Sequence, residues 1–94
     1  MRIRLHENKE DRMEYHDQNR VDWENAGHNH IRKSESNHDR FVLGQLALAA
    51  STAHGRAWKA YKYSKKPEAA THAAHAAEHA YREARNFILK GRRI

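Results

Sequence analysis

The spacing of alanine between residues 41 and 88 constrains this chain more than any other feature. Fourteen alanines fall between positions 47 and 84, and most recur at steps of three or four residues. At about 100° of rotation per residue, such positions share one face of a helix. Ser64 to Glu68 interrupts the pattern, and Pro67 suits the first position of a new helix. The spacing therefore predicts two helices, at about residues 39–63 and 67–90, with a short turn between them.

The short connection predicts that these two helices are antiparallel neighbours that form a hairpin. We expect the contact seam between them to contain seven alanines: Ala49, Ala53, Ala57, Ala73, Ala77, Ala80 and Ala84. Alanine favours helix formation and lets backbones approach closely, but it buries little area per residue. The hairpin is therefore expected to need a third element, a second copy of itself or another protein.

Residues 1–38 differ in composition from the rest of the chain. They carry seven Lys or Arg against eight Asp or Glu, and their few apolar side chains form no continuous helical face. Residues 7–20 are compatible with a polar helix, whereas Gly27 to Asn37 is rich in residues that favour loops. Such low hydrophobicity is typical of segments that become ordered only on binding. The sequence therefore predicts an all-α protein in two parts: a polar, partly irregular or disordered N-terminal segment, 1–38, and a basic helical hairpin, 39–94.

The surplus of positive charge is confined to the second part. The formal net charge is +6, and residues 39–94 carry eleven Lys or Arg against four Asp or Glu. This charge balance favours an anionic partner, although a requirement for solubility alone would also explain the positive charge. The chain has no cysteine, which excludes disulfides and thiolate metal ligands. Without a long apolar run or a secretory signal, the sequence predicts a cytoplasmic protein that does not enter a membrane.

Cations alternate with aromatic residues at the end of the first predicted helix and in the following turn. The cations, which we call the cationic ridge, are Arg56, Lys59, Lys62, Lys65 and Lys66, and Trp58 lies among them. Such a mixture can neutralise phosphates and stack on bases, or it can face an acidic protein surface. Packing of Trp58 and Tyr61 against the hairpin is the alternative role for the aromatic rings.

A second candidate for partner binding lies along one side of the first predicted helix. There Gly44, Ser51 and Gly55 share a helical face beside Leu48. A glycine inside a helix costs about 1 kcal/mol relative to alanine, so two of them indicate that another backbone comes close. That backbone belongs either to a partner protein or to the N-terminal segment of the same chain, and the sequence alone leaves both alternatives open.

Three histidines cluster on one face of the second predicted helix. At this spacing His72, His75 and His79 are weak candidates for Zn²⁺ or Ni²⁺ ligands. A single exposed helix lacks converging ligands, so a solvated histidine face is the favoured interpretation, and we expect no metal or other cofactor. The chain also has no phosphate-binding loop, nucleophile elbow or recognisable catalytic triad. We therefore expect no enzymatic activity.

Pro67 is the only proline and lies in an exposed cationic turn. The bond between Lys66 and Pro67 is a candidate for recognition by a prolyl isomerase. A trans proline that begins a helix is the preferred interpretation.

Three features together form a profile that can be compared with known proteins: the predicted hairpin, its cationic ridge and the proline of Lys65-Lys66-Pro67-Glu68. It resembles small phage-encoded host-takeover proteins of the anti-RecBCD accessory type. The resemblance implies a non-enzymatic inhibitor or modulator that docks on a larger host protein or nucleoprotein complex involved in DNA recombination. The alternative is a protein that binds nucleic acid directly through the ridge. A homo-oligomer that buries spare faces of the hairpin is a third possibility.

Overall fold

The computed structural model of the chain describes residues 9–33 and 38–93, and it describes side chains as far as residue 90. These residues form three helices, α1 (Lys9–Arg32), α2 (His38–Tyr63) and α3 (Glu68–Arg93). No strand occurs in the described ranges, which confirms the all-helical prediction for them. None of the three helices is long and apolar enough to cross a membrane.

Helix α2 packs against both other helices. Its contacts with α1 are, in order, Arg12 with Tyr61, His16 with His54, and Arg20 with Ser51. Its contacts with α3 are Tyr61 with Thr71 and His54 with Glu78. In both sets one residue number rises while the other falls, so α2 runs antiparallel to α1 and to α3. Helix α1 thus supplies the third element that the alanine-rich helices were expected to need.

Helix α1 is longer than the sequence suggested. The expectation of a loop from Gly27 onward is wrong as far as Arg32, where α1 ends, while residues 34–37 lie outside the described ranges. Gly27 is buried because it packs directly on α2, where an added Cβ would lie 2.7 Å from the Leu48 side chain. Tertiary packing of this kind stabilises a helix that its own sequence favours only weakly.

The core is small and consists mostly of alanine. Its buried apolar residues are Leu43, Ala47, Ala50, Ala57, Ala74 and Tyr81. The expected alanine seam is wrong at Ala49, Ala73 and Ala80, which are exposed. Because α2 packs against α1 as well as α3, its buried positions are rotated away from Ala49. On α3 the buried positions are Ala74, Glu78 and Tyr81, which leaves Ala73 and Ala80 outside the contact. Helix α3 also continues beyond its predicted end at about residue 90, as far as Arg93.

Polar side chains occupy part of this interior. His54 is the largest fully buried side chain in the described ranges, and His16, Ser51 and Glu78 are also buried. Aromatic contacts link α1 to α3 beside them: Trp23 meets Tyr81 edge to face at 4.9 Å, and His30 Nε2 lies 2.8 Å from the Tyr81 hydroxyl. The interior therefore combines close-packed alanines with a buried set of hydrogen-bonded groups.

Candidate functional site: a cationic ridge beside a buried histidine cluster

All five cations of the cationic ridge are exposed. Arg56, Lys59 and Lys62 follow the last turns of α2, and Lys65 and Lys66 continue into the turn before α3. None of the five forms an ion pair with another described residue. At 1.5 Å per residue, the three on α2 lie within about 9 Å along its axis. One end of the molecule therefore carries five positive charges that no described carboxylate neutralises.

Two aromatic rings belong to this ridge. The Lys62 Nζ atom lies 4.8 Å from the Trp58 ring centroid and 5.4 Å from the Tyr63 ring centroid. Cation–π contacts at exposed sites contribute about 0.5–1 kcal/mol, enough to orient the lysine side chain. Trp58 is half-buried, whereas Tyr63 is 74% exposed, so Tyr63 is presented to solvent with the cations. Sequence reasoning did not select Tyr63, although its position next to Lys62 was a usable signal.

A groove of about 530 Å³ adjoins the ridge between α1 and α2. Its walls are Asp17 and Arg20 from α1 and Thr52, Gly55, Arg56, Trp58 and Lys59 from α2. Asp17 accepts a hydrogen bond of 3.1 Å from Arg20 Nη2. The groove therefore offers a carboxylate and an indole as well as cations, and it has no uniform sign of charge.

The surface predicted around Gly44, Leu48 and Ser51 is covered by α1. Ser51 Oγ donates a 2.8 Å hydrogen bond to the carbonyl oxygen of Arg20, and both Gly44 and Ser51 are buried. A Cβ on Gly44 would lie 2.5 Å from Ile31 Cγ1, which leaves no room for a side chain. The approaching backbone is therefore that of the same chain, and these residues are not a free docking surface. Of the predicted set, only Gly55 borders the open groove.

Behind the ridge, α1, α2 and α3 each contribute to a buried histidine cluster, which we define as His16, His54 and Glu78. The two Nδ1 atoms of His16 and His54 lie 2.9 Å apart, and His54 Nε2 bonds to Glu78 Oε2. Arg82 Nη1 lies 3.3 Å from the other carboxylate oxygen of Glu78. The cluster thus joins the three helices through one continuous chain of polar contacts.

Burial and neighbouring charges shift the pKa values of two members of this cluster, His16 and Glu78. Burial, together with His54 and His75, lowers the pKa of His16 to about 4. Burial alone would raise the pKa of Glu78, but the hydrogen bond from His54 and the charges of His54 and Arg82 outweigh it and lower the pKa. The carboxylate is therefore ionised near neutral pH and accepts from His54 Nε2.

Two tyrosines enclose the His16 ring. Tyr61 stacks on it with centroids 5.6 Å apart, and Tyr15 meets it edge-on at 5.0 Å. The Tyr61 hydroxyl accepts from Thr71 Oγ1 at 3.4 Å and from Arg12 Nη1 at 3.3 Å. The hydrogen bond from Thr71, aided by Arg12, lowers the pKa of Tyr61. These contacts hold the end of α2 that carries the ridge against both neighbouring helices.

The histidines of the predicted metal candidate do not converge. His72, His75 and His79 are all exposed, and His79 Nε2 lies 3.0 Å from Glu83 of the same helix. His75 instead borders a cavity of about 310 Å³ beside His16 and Tyr61. No set of three or more His, Asp or Glu side chains in the described part of the chain is arranged to hold a metal ion.

The turn that contains Pro67 is ordered by local hydrogen bonds. The Pro67 carbonyl accepts from Thr71 N at 3.0 Å, and Ser64 Oγ accepts from Lys66 N at 3.1 Å. Pro67 thus lies immediately before α3 and accepts its first helical hydrogen bond, as expected for a proline that begins a helix.

The ridge and the groove are surfaces suited to binding, whereas the histidine cluster is enclosed and holds the helices together. No protein-family model, no curated protein and no solved structure matches the chain.

Proposed function

We propose that this protein is a non-catalytic modulator that docks on an acidic surface of a larger protein through its cationic ridge. In keeping with the profile described above, the larger protein is a nucleic-acid-processing enzyme of a host cell. The observation that supports the proposal is the set of five exposed ridge cations without a carboxylate partner in the described residues. Such a surface speeds association with an anionic partner and fixes its orientation.

The groove beside the ridge favours a protein partner over nucleic acid. A nucleic acid backbone presents negative charge at every step, and it would meet the Asp17 carboxylate in the groove wall. Helix α1 as a whole repeats this problem, because its sequence holds six Asp or Glu, Asp17 included, against four Lys or Arg. A protein surface can place its own cations and apolar groups opposite Asp17 and Trp58 while its carboxylates face the ridge.

Direct binding of nucleic acid is the second candidate, and the exposed ring of Tyr63 beside Lys62 favours it. Bases stack on such rings while lysines neutralise phosphates. Binding of this kind falls steeply with salt, because each neutralised phosphate releases counterions.

Two charge-reversal variants of equal net charge test the proposal. Lys59→Glu with Lys62→Glu changes the ridge, whereas Arg32→Glu with Lys33→Glu changes the far end of α1 by the same four charge units. A protein captured from a bacterial lysate by the wild type is identified and purified, and its affinity for each variant is measured. We expect the ridge variant to bind at least about tenfold more weakly, and the control variant to bind within about twofold of wild type.

Two outcomes would contradict docking on a protein through the ridge. Equal losses in both variants would show that net charge alone matters and that the ridge is only a solvated face. Tight, salt-dependent binding of a 20-base-pair DNA duplex, lost in the ridge variant only, would favour the nucleic-acid candidate. Circular dichroism of each variant shows whether helix content is preserved.

A further inference from the structure

An apolar pocket of about 200 Å³ opens between α2 and α3, far from the ridge. Its lining residues are His30 of α1, Asp39, Arg40 and Leu43 of α2, and Arg85, Ile88 and Leu89 of α3. Leu43 and Lys62 are 19 residues apart on α2, which places the pocket about 30 Å from the ridge along the helix. A partner that contacts the pocket therefore contacts a different part of the molecule.

Large apolar side chains lie exposed near the C-terminal end of α3, which forms one wall of this pocket. Phe87 is 77% exposed and Leu89 is 51% exposed, and Leu89 lines both the pocket and a shallow depression next to Phe87. Neither residue belongs to the core, so packing among the described residues does not account for them. An exposed apolar side chain at the mouth of a concave site, as Leu89 is here, is typical of protein interaction surfaces.

The size of the pocket limits what can enter it. Sites for small molecules usually measure about 300–1,000 Å³. A pocket of about 200 Å³ is smaller and suits one inserted apolar side chain. Such an anchor in a fitted pocket often supplies much of the energy of a protein interface.

Positive charge surrounds the same end of α3. Residues Arg85 to Arg93 include four cations and no acid, and neither Arg85 nor Lys90 pairs with a described carboxylate. Cations near a helix C-terminus are favoured by the helix dipole, which would explain them without a partner. The dipole does not explain why Phe87 and Leu89 are exposed among these cations. An acidic partner with apolar anchors accounts for both observations.

We propose that Arg85, Ile88 and Leu89, here called the anchor surface, dock an acidic amphipathic helix of a partner protein at the mouth of this pocket. One apolar side chain of that helix fills the pocket between α2 and α3. Its flanking carboxylates face Arg85 and the other cations at this end of α3. Recognition of a helix in a groove by spaced apolar anchors is a recurrent mode of peptide binding. This interaction goes beyond the proposed function, because it uses no residue of the ridge.

The charges and the shape favour this occupant over two others. A second copy of the chain would bring the cations of two α3 ends against each other, which costs energy. An anionic membrane would suit the cations and Phe87, but a flat bilayer does not fill a concave pocket walled by Leu43 and Ile88. Arg40 and Arg85 outnumber Asp39, the one carboxylate of the pocket lining, so an acidic helix satisfies the charge, the exposed Leu89 side chain and the pocket together.

The test begins with a display library of random 16-residue peptides selected on the full-length wild-type protein. We expect the enriched peptides to carry Leu, Ile or Phe at helical spacing among Asp and Glu. Each synthetic peptide is then titrated against wild type, Leu89→Asp and the ridge variant Lys59→Glu with Lys62→Glu. Leu89→Asp should weaken binding at least about tenfold, whereas the ridge variant should bind within about twofold of wild type. Because Leu89 is half exposed, the aspartate variant should keep its helix content, which circular dichroism checks.

Several outcomes would overturn the proposal. The proposal fails if the selection enriches no peptide that is both acidic and apolar, or if the enriched peptides bind Leu89→Asp as tightly as wild type. Binding to vesicles of four parts phosphatidylcholine to one part phosphatidylserine, lost in Leu89→Asp, would assign the surface to a membrane. A wild-type dimer that becomes a monomer in Leu89→Asp, seen by light scattering, would assign it to a second copy. Each of these results leaves the ridge proposal standing, because the ridge variant tests separate residues.

Discussion

Helix α1 is held on α2 at two places that follow different physical rules. At one, Gly27 and Gly44 bring the two backbones together, and a Cβ on Gly27 would lie 3.0 Å from the Gly44 carbonyl oxygen. At the other, His16 and His54 form a buried hydrogen bond that Glu78 of α3 extends. The glycine contact depends on shape and cannot accept added volume. The histidine contact depends on polar pairing and cannot lose a partner.

The difference shows how a chain with few large aliphatic residues forms a helical bundle. Buried alanines contribute little apolar area, so other interactions must hold the helices in register. Close approach of backbones increases dispersion contacts at the glycine end. At the histidine end, buried polar groups fix one arrangement of three helices, but only while every partner is present. The two ends should therefore respond to different perturbations.

The largest expected effect is at the histidine end. Replacing Glu78 by alanine removes the acceptor of His54 Nε2 and leaves a fully buried imidazole without its carboxylate. Breaking such a pair typically costs about 3–5 kcal/mol, a large share of the stability of a small domain. Urea denaturation followed by circular dichroism measures the loss. Glu83→Ala is the matched control on the same helix, because Glu83 forms only an exposed pair with His79, and it should cost less than about 1 kcal/mol. Equal costs for the two substitutions would show that the buried cluster adds nothing.

Acidification should weaken the same end of the molecule. It should lower the free energy of unfolding by on the order of 2–3 kcal/mol, through the lowered pKa of His16. The unfolded chain protonates His16 near its ordinary pKa of 6.5, whereas burial, together with His54, His75 and Arg12, lowers the pKa in the fold to about 4 despite the attraction of Glu78. Between these values the unfolded state binds more protons, so the free energy of unfolding falls as pH decreases from 6.5 to 4. The lowered pKa of Glu78 acts in the same direction below pH 4.5. Urea midpoints measured between pH 7.5 and 4 should therefore decrease steadily.

A variant of His16 separates this effect from general acid denaturation. His16→Gln keeps a side chain that can hydrogen bond to His54 but cannot take up a proton in this range. Its urea midpoint should depend less on pH between 6.5 and 4 than that of the wild type. The same slope in both proteins would mean that another group governs the response.

The sequence predicted the parts of this fold that depend on local pattern. Helices α2 and α3 begin and end within three residues of the predicted ranges, because alanine periodicity and Pro67 are signals carried by neighbouring residues. Helix α1 was underestimated for the opposite reason. Its polar sequence forms a helix because it packs on α2, and Gly27, which resembles a loop residue, is a contact residue in that packing.

The candidate sites also divide into a part that local sequence pattern predicts and a part that depends on tertiary packing. The exposure of the ridge cations could be predicted from charge and helical spacing alone. The histidine cluster could not, because His16, His54 and Glu78 lie on three different helices and meet only after all three have packed. One signal was present: His54 follows Ala47 and Ala50 at helical spacing and precedes Ala57, so a polar residue occupies a core position. Its partners were beyond the reach of any local pattern.

The smallest expected effect is at the glycine end, where the test is whether an added alanine side chain lowers or raises the free energy of unfolding. Gly44→Ala places a Cβ 2.5 Å from Ile31 Cγ1 and 3.0 Å from the Gly27 carbonyl oxygen. Overpacking of this kind costs about 1–3 kcal/mol and exceeds the gain of about 1 kcal/mol in helix propensity. Gly55 lies on the same helix, but its Cβ would meet only the flexible Arg20 side chain, at 3.3 Å. Gly55→Ala should therefore leave stability unchanged or raise it by up to about 1 kcal/mol. If both alanines stabilise the protein in urea, α1 does not approach α2 closely at Gly44, and the contrast between the two ends fails.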